Sequence, residues 1–221
     1  MPRLTFHCVE SRCGVLSAVR VFLLLFLLFS TSNVYAAESP RQCILDAGRA
    51  VDTADVTTFQ KLVDVDAVLE QALDILVRRA SDPQIARDLP PMLTLLFSQA
   101  AQREGSVRAL LLNEARMFVL HGVSSGAFAG RQPVRDTAKG LLTPLFADAS
   151  KGRKEVRNVG QARRDGEGWL VPFMVHDGGN GETYAVTGRV TTTADGFCLT
   201  SLANMEDLLT RVVTEHQNLE P

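Results

Sequence analysis

Two hundred and twenty-one residues with 46% hydrophobic and 22% charged side chains make an ordinary globular composition, which excludes a disordered, collagen-like or many-spanning membrane chain. The formal net charge of −2 and a pI near 6.1 provide no global field to attract nucleic acid or an anionic membrane. Nucleic acid is therefore not an expected partner.

The chain opens with a segment that belongs to targeting rather than to the fold. Arg20 is followed by the apolar run Val21 to Phe29, then by polar Ser30-Thr31-Ser32-Asn33, then by Val34-Tyr35-Ala36. This is the n-, h- and c-region order of a secretory signal, with cleavage expected before Ala37. The run is too short to span a bilayer. The stretch before Arg20 is long for an n-region, which suggests a true start at Val15, Leu16 or Val19. The reading is residues 1–36 as signal peptide and 37–221 as one exported, periplasmic or extracellular α+β domain that does not span the membrane.

Removing residues 1–36 takes away three arginines and one glutamate, so the net charge of −2 becomes −4. Cys8 and Cys13 leave with it. Cys43 and Cys198 remain as an even pair in an oxidising compartment, and a disulfide between them is expected. It would tie the first helix to the last strand. Cys43 follows Arg41-Gln42, not a lipobox, so no lipid anchor is expected.

From Pro40 to about Ala149 the apolar spacing is helical. A first helix lies near Ile44-Leu45, and Val51 to Leu62 continues at looser helical spacing. Val65, Val68, Leu69, Ala72, Leu73 and Leu76 form one amphipathic stripe, with Asp64 placed to cap its start and Asp82-Pro83 to end it. Pro90-Pro91 opens another helix over Met92 to Phe97. Val107 to Leu120 is apolar on most of its circumference, and such a helix is expected to be central, buried by neighbours on several sides. The glycine-rich stretch His121 to Asp136 reads as a connection, and a short helical pattern follows at Leu141-Leu142 and Leu145-Phe146.

Past Lys151 the period becomes two. A first strand near Glu155 to Arg164, then Trp169 to Val175, Thr183 to Thr192 and Phe197 to Leu202, are separated by Asp165-Gly166-Glu167-Gly168, Asp177-Gly178-Gly179-Asn180-Gly181 and Ala194-Asp195-Gly196, all turn chemistry. The expected fold is α+β: a helical part over 40–149, a four-stranded antiparallel meander over 151–203 with its apolar face on the helical layer, and a closing helix over 204–216 carrying Met205, Leu208, Leu209 and Val212.

Catalytic signatures are weak. There is no HExxH and no CxxC, and no metal or cofactor is expected. His121 ends a helix, where a cation complements the dipole. His176-Asp177 sits at a strand end and reads first as a turn pair; a general base there would need an orienting partner. Gly122-Val123-Ser124-Ser125-Gly126 lacks the strand-turn-helix context of a nucleophile elbow. The Asp177 to Glu182 loop lacks the ligand periodicity of an EF-hand. Lys151, Arg153, Lys154, Arg157, Arg163 and Arg164 form a basic stretch, read as an edge strand charged against edge-to-edge pairing, with anionic partners as the alternative.

The stretch from Ala50 to Leu69, in which a short helix leads through Val63-Asp64 into a longer one, resembles the opening of an uncharacterised family of exported bacterial proteins, the DUF2939 type. Helices followed by a curved meander are similar to the NTF2-like, or cystatin-like, cone, and also resemble periplasmic phospholipid carriers of the MlaC type. The first two resemblances imply a small envelope protein, the last a lipid cavity enclosed by helices and sheet. Isomerases of the NTF2-like kind use a buried acid and a tyrosine; here Tyr184 is the sole mature tyrosine. The functional expectation is an exported soluble non-enzymatic binding or envelope-accessory module, taking a small apolar ligand or an envelope protein. Its pocket is expected between the sheet and the helix 107–120, lined by Leu111, Phe118, Trp169, Phe173 and Tyr184. The alternatives are a periplasmic lipid carrier and a small hydrolase or isomerase using His176 and Asp177.

Overall fold

The computed structural model describes residues 37–82, 91–102, 105–131 and 152–211. Its helices are α1 (Pro40–Thr53), α2 (Val56–Leu62), α3 (Val65–Ala80), α4 (Pro91–Ala100), α5 (Ser106–Ser124) and α6 (205–211). Local chemistry sets their boundaries. Ser39 caps α1 by accepting the Gln42 N–H at 3.1 Å, with Pro40 in the first turn. Asp64 caps α3 by accepting the Ala67 N–H at 3.0 Å, as the sequence implied. The segment Val51 to Leu62 is not continuous. Ala54 turns left-handed, φ 61°, and Asp55 starts α2 by accepting from the backbone and hydroxyl of Thr58. The cap outcompetes the apolar spacing that bridges the break.

The sheet is α+β in the expected order and entirely antiparallel. Strands β1 (Lys154–Arg157) and β2 (Arg163–Asp165) both pair with β3 (Gly168–Asp177), followed by β4 (Thr183–Thr193) and β5 (Gly196–Leu202). The edge strand expected near Glu155 to Arg164 is thus two short strands. Opposite their gap stands Pro172, which has no N–H to offer an edge partner.

The inner sheet face presents Val171 and Phe173 of β3, Val186 and Val190 of β4 and Leu199 of β5. Helix α1 lies on it through Cys43, Ile44 and Ala47 and reaches β1, β3, β4 and β5. At Gly48 a Cβ would stand 2.9 Å from Val156 Cβ, so the bare backbone sets how closely α1 approaches β1. Val171, Val190 and Cys43 are fully buried, and each buried aliphatic side chain contributes about 1.5–3 kcal/mol relative to exposure.

Helix α5 lies behind this layer, touching α1, α2, α3 and α4. With α3 and α4 it encloses a second apolar cluster of Leu73, Ala80, Phe97, Ala100 and Leu111. It runs on through Gly122 to Ser124, although the glycines there suggested a connection from His121 onward. Gly122 is a packing residue: Phe128 folds back so that a Cβ at 122 would stand 2.3 Å from its ring, and the Phe128 N–H bonds the Gly122 carbonyl at 3.0 Å. The expected helix at Leu141 to Phe146 lies outside the described residues, as does Val212 of the closing helix. The circumferential hydrophobicity of α5 does not bury it all round. Leu110 and Met117 stand 43% and 56% exposed.

Candidate functional site

Of the five side chains expected to line one pocket, Phe173 and Tyr184 share the first core, while Leu111, Phe118 and Trp169 make their contacts elsewhere. Phe173 is buried in the first core. Leu111 is buried in the second cluster. Phe118 meets Phe128 edge-on, centroids 5.7 Å apart. Trp169 meets Phe197 edge-on at 5.0 Å, with the Arg164 guanidinium 4.4 Å from its ring centre. Tyr184 packs at the margin of the first core, its hydroxyl accepting from Asn180 Nδ2 at 2.8 Å and its ring covered by Arg211 at 4.9 Å. Between the sheet and α5 lies α1, which periodicity could not foresee.

His176 and Asp177 are consecutive on β3, so their side chains leave opposite faces of the strand. His176 Nδ1 lies 3.1 Å from Thr183 Oγ1. Asp177 is engaged by Lys154 Nζ and accepts the Gly179 N–H at 2.8 Å, closing the hairpin loop. Neither orients the other.

The two thiols flank one feature. Val63 and Leu199 form a parallel bridge, with the Asp64 N–H donating to the Leu199 carbonyl at 2.9 Å. Cys43 Sγ donates to the Leu62 carbonyl at 3.4 Å. Cys198 Sγ donates weakly to the Leu199 carbonyl at 3.7 Å. Burial, reinforced by the neighbouring Cys198, pushes the Cys43 thiol up to about 12, and burial also raises Cys198. A thiol so disposed carries almost no thiolate at neutral pH, so neither is an activated nucleophile.

Part of the basic stretch is paired in place, while Arg163 and Arg164 stand exposed. Arg153 pairs with Asp52 at 2.9 Å, Lys154 with Asp177 and Arg157 with Glu155 at 2.6 Å. From β4, Arg189 reaches across β3 to Asp165 at 2.5 Å. Lys151 lies outside the described residues. Together with the exposed Arg163 and Arg164, these charges read as protection of the edge against strand pairing.

A cleft of about 310 Å³ opens between α3 and the start of α6, with Ile75 and Met205 at its floor and Asp74, Arg78 and Glu206 around it. Asp74 is held at 2.8 Å by Arg108, a guanidinium drawn almost fully into the helical cluster. Glu206 stands 3.9 Å from both Arg78 and Arg79. Its rim is charged of both signs.

No protein-family model, curated protein or solved structure matches this chain.

Two surface features escaped the sequence reading. One is the exposed face of α4 and α5, for which the signal was present: Pro91 to Ala100 contains no Asp, Glu, Lys or Arg. The other is the closure of sheet edges by side-chain amides, which has no signature in spacing. Gln71 donates to and accepts from the backbone of Leu202 at 2.8 and 2.9 Å. Asn204 does the same for Ala185 and Thr187, at 2.9 Å each.

Among the described residues no helix is long and apolar enough to cross a membrane.

Proposed function

We propose that the protein is an exported, non-enzymatic binding module of the cell envelope, which engages a partner protein through its surface rather than enclosing a ligand. The observation that carries this reading is the solid packing between α1 and the sheet, where Val171, Val190 and Cys43 are fully buried. Of the side chains expected to line an apolar pocket, Phe173 and Leu111 are each buried in a core cluster. The reading is supported further by the engagement of Asp177 with Lys154 and the Gly179 amide, which occupies it structurally. Export rests on the signal-like order of residues 20–36.

The alternative reading is a lipid carrier. The cleft beside α3 is small, with carboxylates and a guanidinium on its rim, and burying acyl chains against charge is costly. Native mass spectrometry of protein purified from its own envelope tests the choice. The expected spectrum contains no non-covalently bound lipid. A stoichiometric retained lipid overturns the proposal in favour of a carrier.

A further inference from the structure

We propose that the outward face of the α4–α5 pair is a self-association surface, on which a second copy of this chain packs helix against helix. The four large apolar side chains that stand exposed among the described residues all lie here: Met92 and Leu95 on α4 at 57% and 58%, Leu110 and Met117 on α5 at 43% and 56%. Elsewhere among the described residues large apolar side chains are buried or partly buried. Their concentration on two helices that pack against each other is not the scatter expected of an ordinary surface.

Charge sharpens the case. Every exposed position of α4 and α5 holds a residue other than Asp, Glu, Lys or Arg. The charges that α5 does carry are turned aside. Arg108 is buried on Asp74, Arg116 pairs with Asp66 at 3.0 Å, and Glu114 is half-buried. The neighbouring α3 exposes Asp66, Glu70 and Arg78, so the missing charge belongs to this face and not to the helical cluster as a whole. Charge depletion around Met and Leu is the signature of an interface centre.

The same absence selects the occupant. A two-fold contact brings a patch onto itself, so each charge near the axis meets its own copy and repels it. Exposed positions on α4 and α5 that carry no formal charge suit that arrangement, whereas an unlike partner recruited by opposite charge would find little among the described residues of these helices to steer it. The size also fits. Half-exposure of four large side chains amounts to roughly 400 Å², already at the scale that marks an interaction patch. A two-helix face about 28 Å long, with the neutral polar positions flanking the apolar ones, approaches the ~800 Å² per partner of a standard interface. Met92 and Met117, unbranched and adaptable, can fill the seam between helices.

Sedimentation equilibrium of the purified protein, from micromolar to millimolar concentration, tests the proposal, with Leu95→Glu and Met117→Glu as variants and Ala185→Glu, on the outer sheet face, as control. The wild type is expected to populate a dimer. Each of the first two variants is expected to weaken it at least tenfold, because a carboxylate cannot be buried against apolar side chains without its water. The control is expected to leave it unchanged. Circular dichroism and thermal unfolding at low concentration verify that the variants fold; should a Glu variant unfold, Leu110→Ser and Met117→Gln take its place. A wild type that stays monomeric across the range overturns the proposal, as does a dimer that the face variants leave intact or a stoichiometric complex with a different protein on this face. A retained lipid would instead overturn the functional reading above and leave the dimer standing.

Discussion

The amide of Gly160 donates to the carbonyl of Pro172 at 2.8 Å, at the one residue of β3 that has no N–H of its own to give. That single bond replaces the ladder that a continuous edge strand would form. The neighbouring segment between Arg157 and Arg163 leaves the sheet, with Asn158 left-handed at φ 50°. A Cβ at 160 would stand 2.9 Å from Pro172 Cγ. Gly160→Val is therefore expected to cost about 1–3 kcal/mol, read as a lower urea midpoint with unchanged slope. An unchanged midpoint would show that the gap can open without loss.

The thiols give a prediction with a definite sign. In the reduced protein the unfolded chain ionises Cys43 at its ordinary value of 9.0, while the fold keeps it protonated up to about 12. Its folded value is raised, so the stability it contributes is complete below pH 9 and declines as pH climbs toward 12, by up to ~1.4 kcal/mol per pH unit. A Cys43–Cys198 disulfide removes both thiols and this decline with them. We expect the protein as exported to show no free thiol when unfolded, and its stability to diverge from that of the reduced form between pH 9 and 12. Cross-linking positions 43 and 198 restrains nearly the whole domain, for which chain entropy sets an upper bound of about 5 kcal/mol. Two free thiols per unfolded exported chain would rule the bond out.

His176 and Asp177 should separate under mutation. His176 contributes one contact to Thr183, so His176→Ala is expected to shift stability by less than ~1 kcal/mol. Asp177 answers both Lys154 and the Gly179 amide, so Asp177→Ala is expected to cost about 1–3 kcal/mol. Thermal unfolding of the two variants reads the difference. Equal effects, or a turnover abolished by either with the fold intact, would restore the enzymatic reading.

Gln71 offers the backbone of Leu202 both a donor and an acceptor. Gln71→Glu keeps the shape and the acceptor but sets a second oxygen against the Leu202 carbonyl. The expected cost is about 1–3 kcal/mol, measurable by denaturant titration, with the loss partly recovered where low pH protonates the carboxylate. A variant as stable as wild type at neutral pH would mean that water serves Leu202 equally well.

Processing carries its own test. The mature protein is expected to begin at Ala37, and intact mass of native material retaining residues upstream of it would contradict the signal reading.

What could be read from the sequence was what local chemistry decides alone. Asp64, Pro91 and the Asp-Gly turns act within four residues of themselves, and each marks a boundary where the structure has one. Gly122 and Pro172 resisted the same reading because their roles depend on a distant partner: Phe128 returning over a helix, an edge strand parting. Of the five expected pocket residues, Leu111 and Phe173 are buried and Phe118, Trp169 and Tyr184 are half-buried. Spacing, however, cannot say which helix reaches the sheet first, and with α1 in that place Leu111 belongs to a different cluster from Phe173 and Tyr184. The exposed stripe of α5 was legible as hydrophobicity but was assigned to burial, because amphipathicity does not distinguish an inner neighbour from an outer one.

The amide side chains of Gln71 and Asn204 have a bearing on how the protein fails. A strand flank that already has its donors and acceptors filled gives an incoming chain nothing to copy, and the flank left over, at β1 and β2, is short, interrupted and bristling with arginine. Growth of fibrils by strand addition is thereby starved of a seed. When crowded or heated, this molecule should come out of solution as amorphous material from its helical side, and thioflavin-positive fibres should form only after the sheet itself has melted.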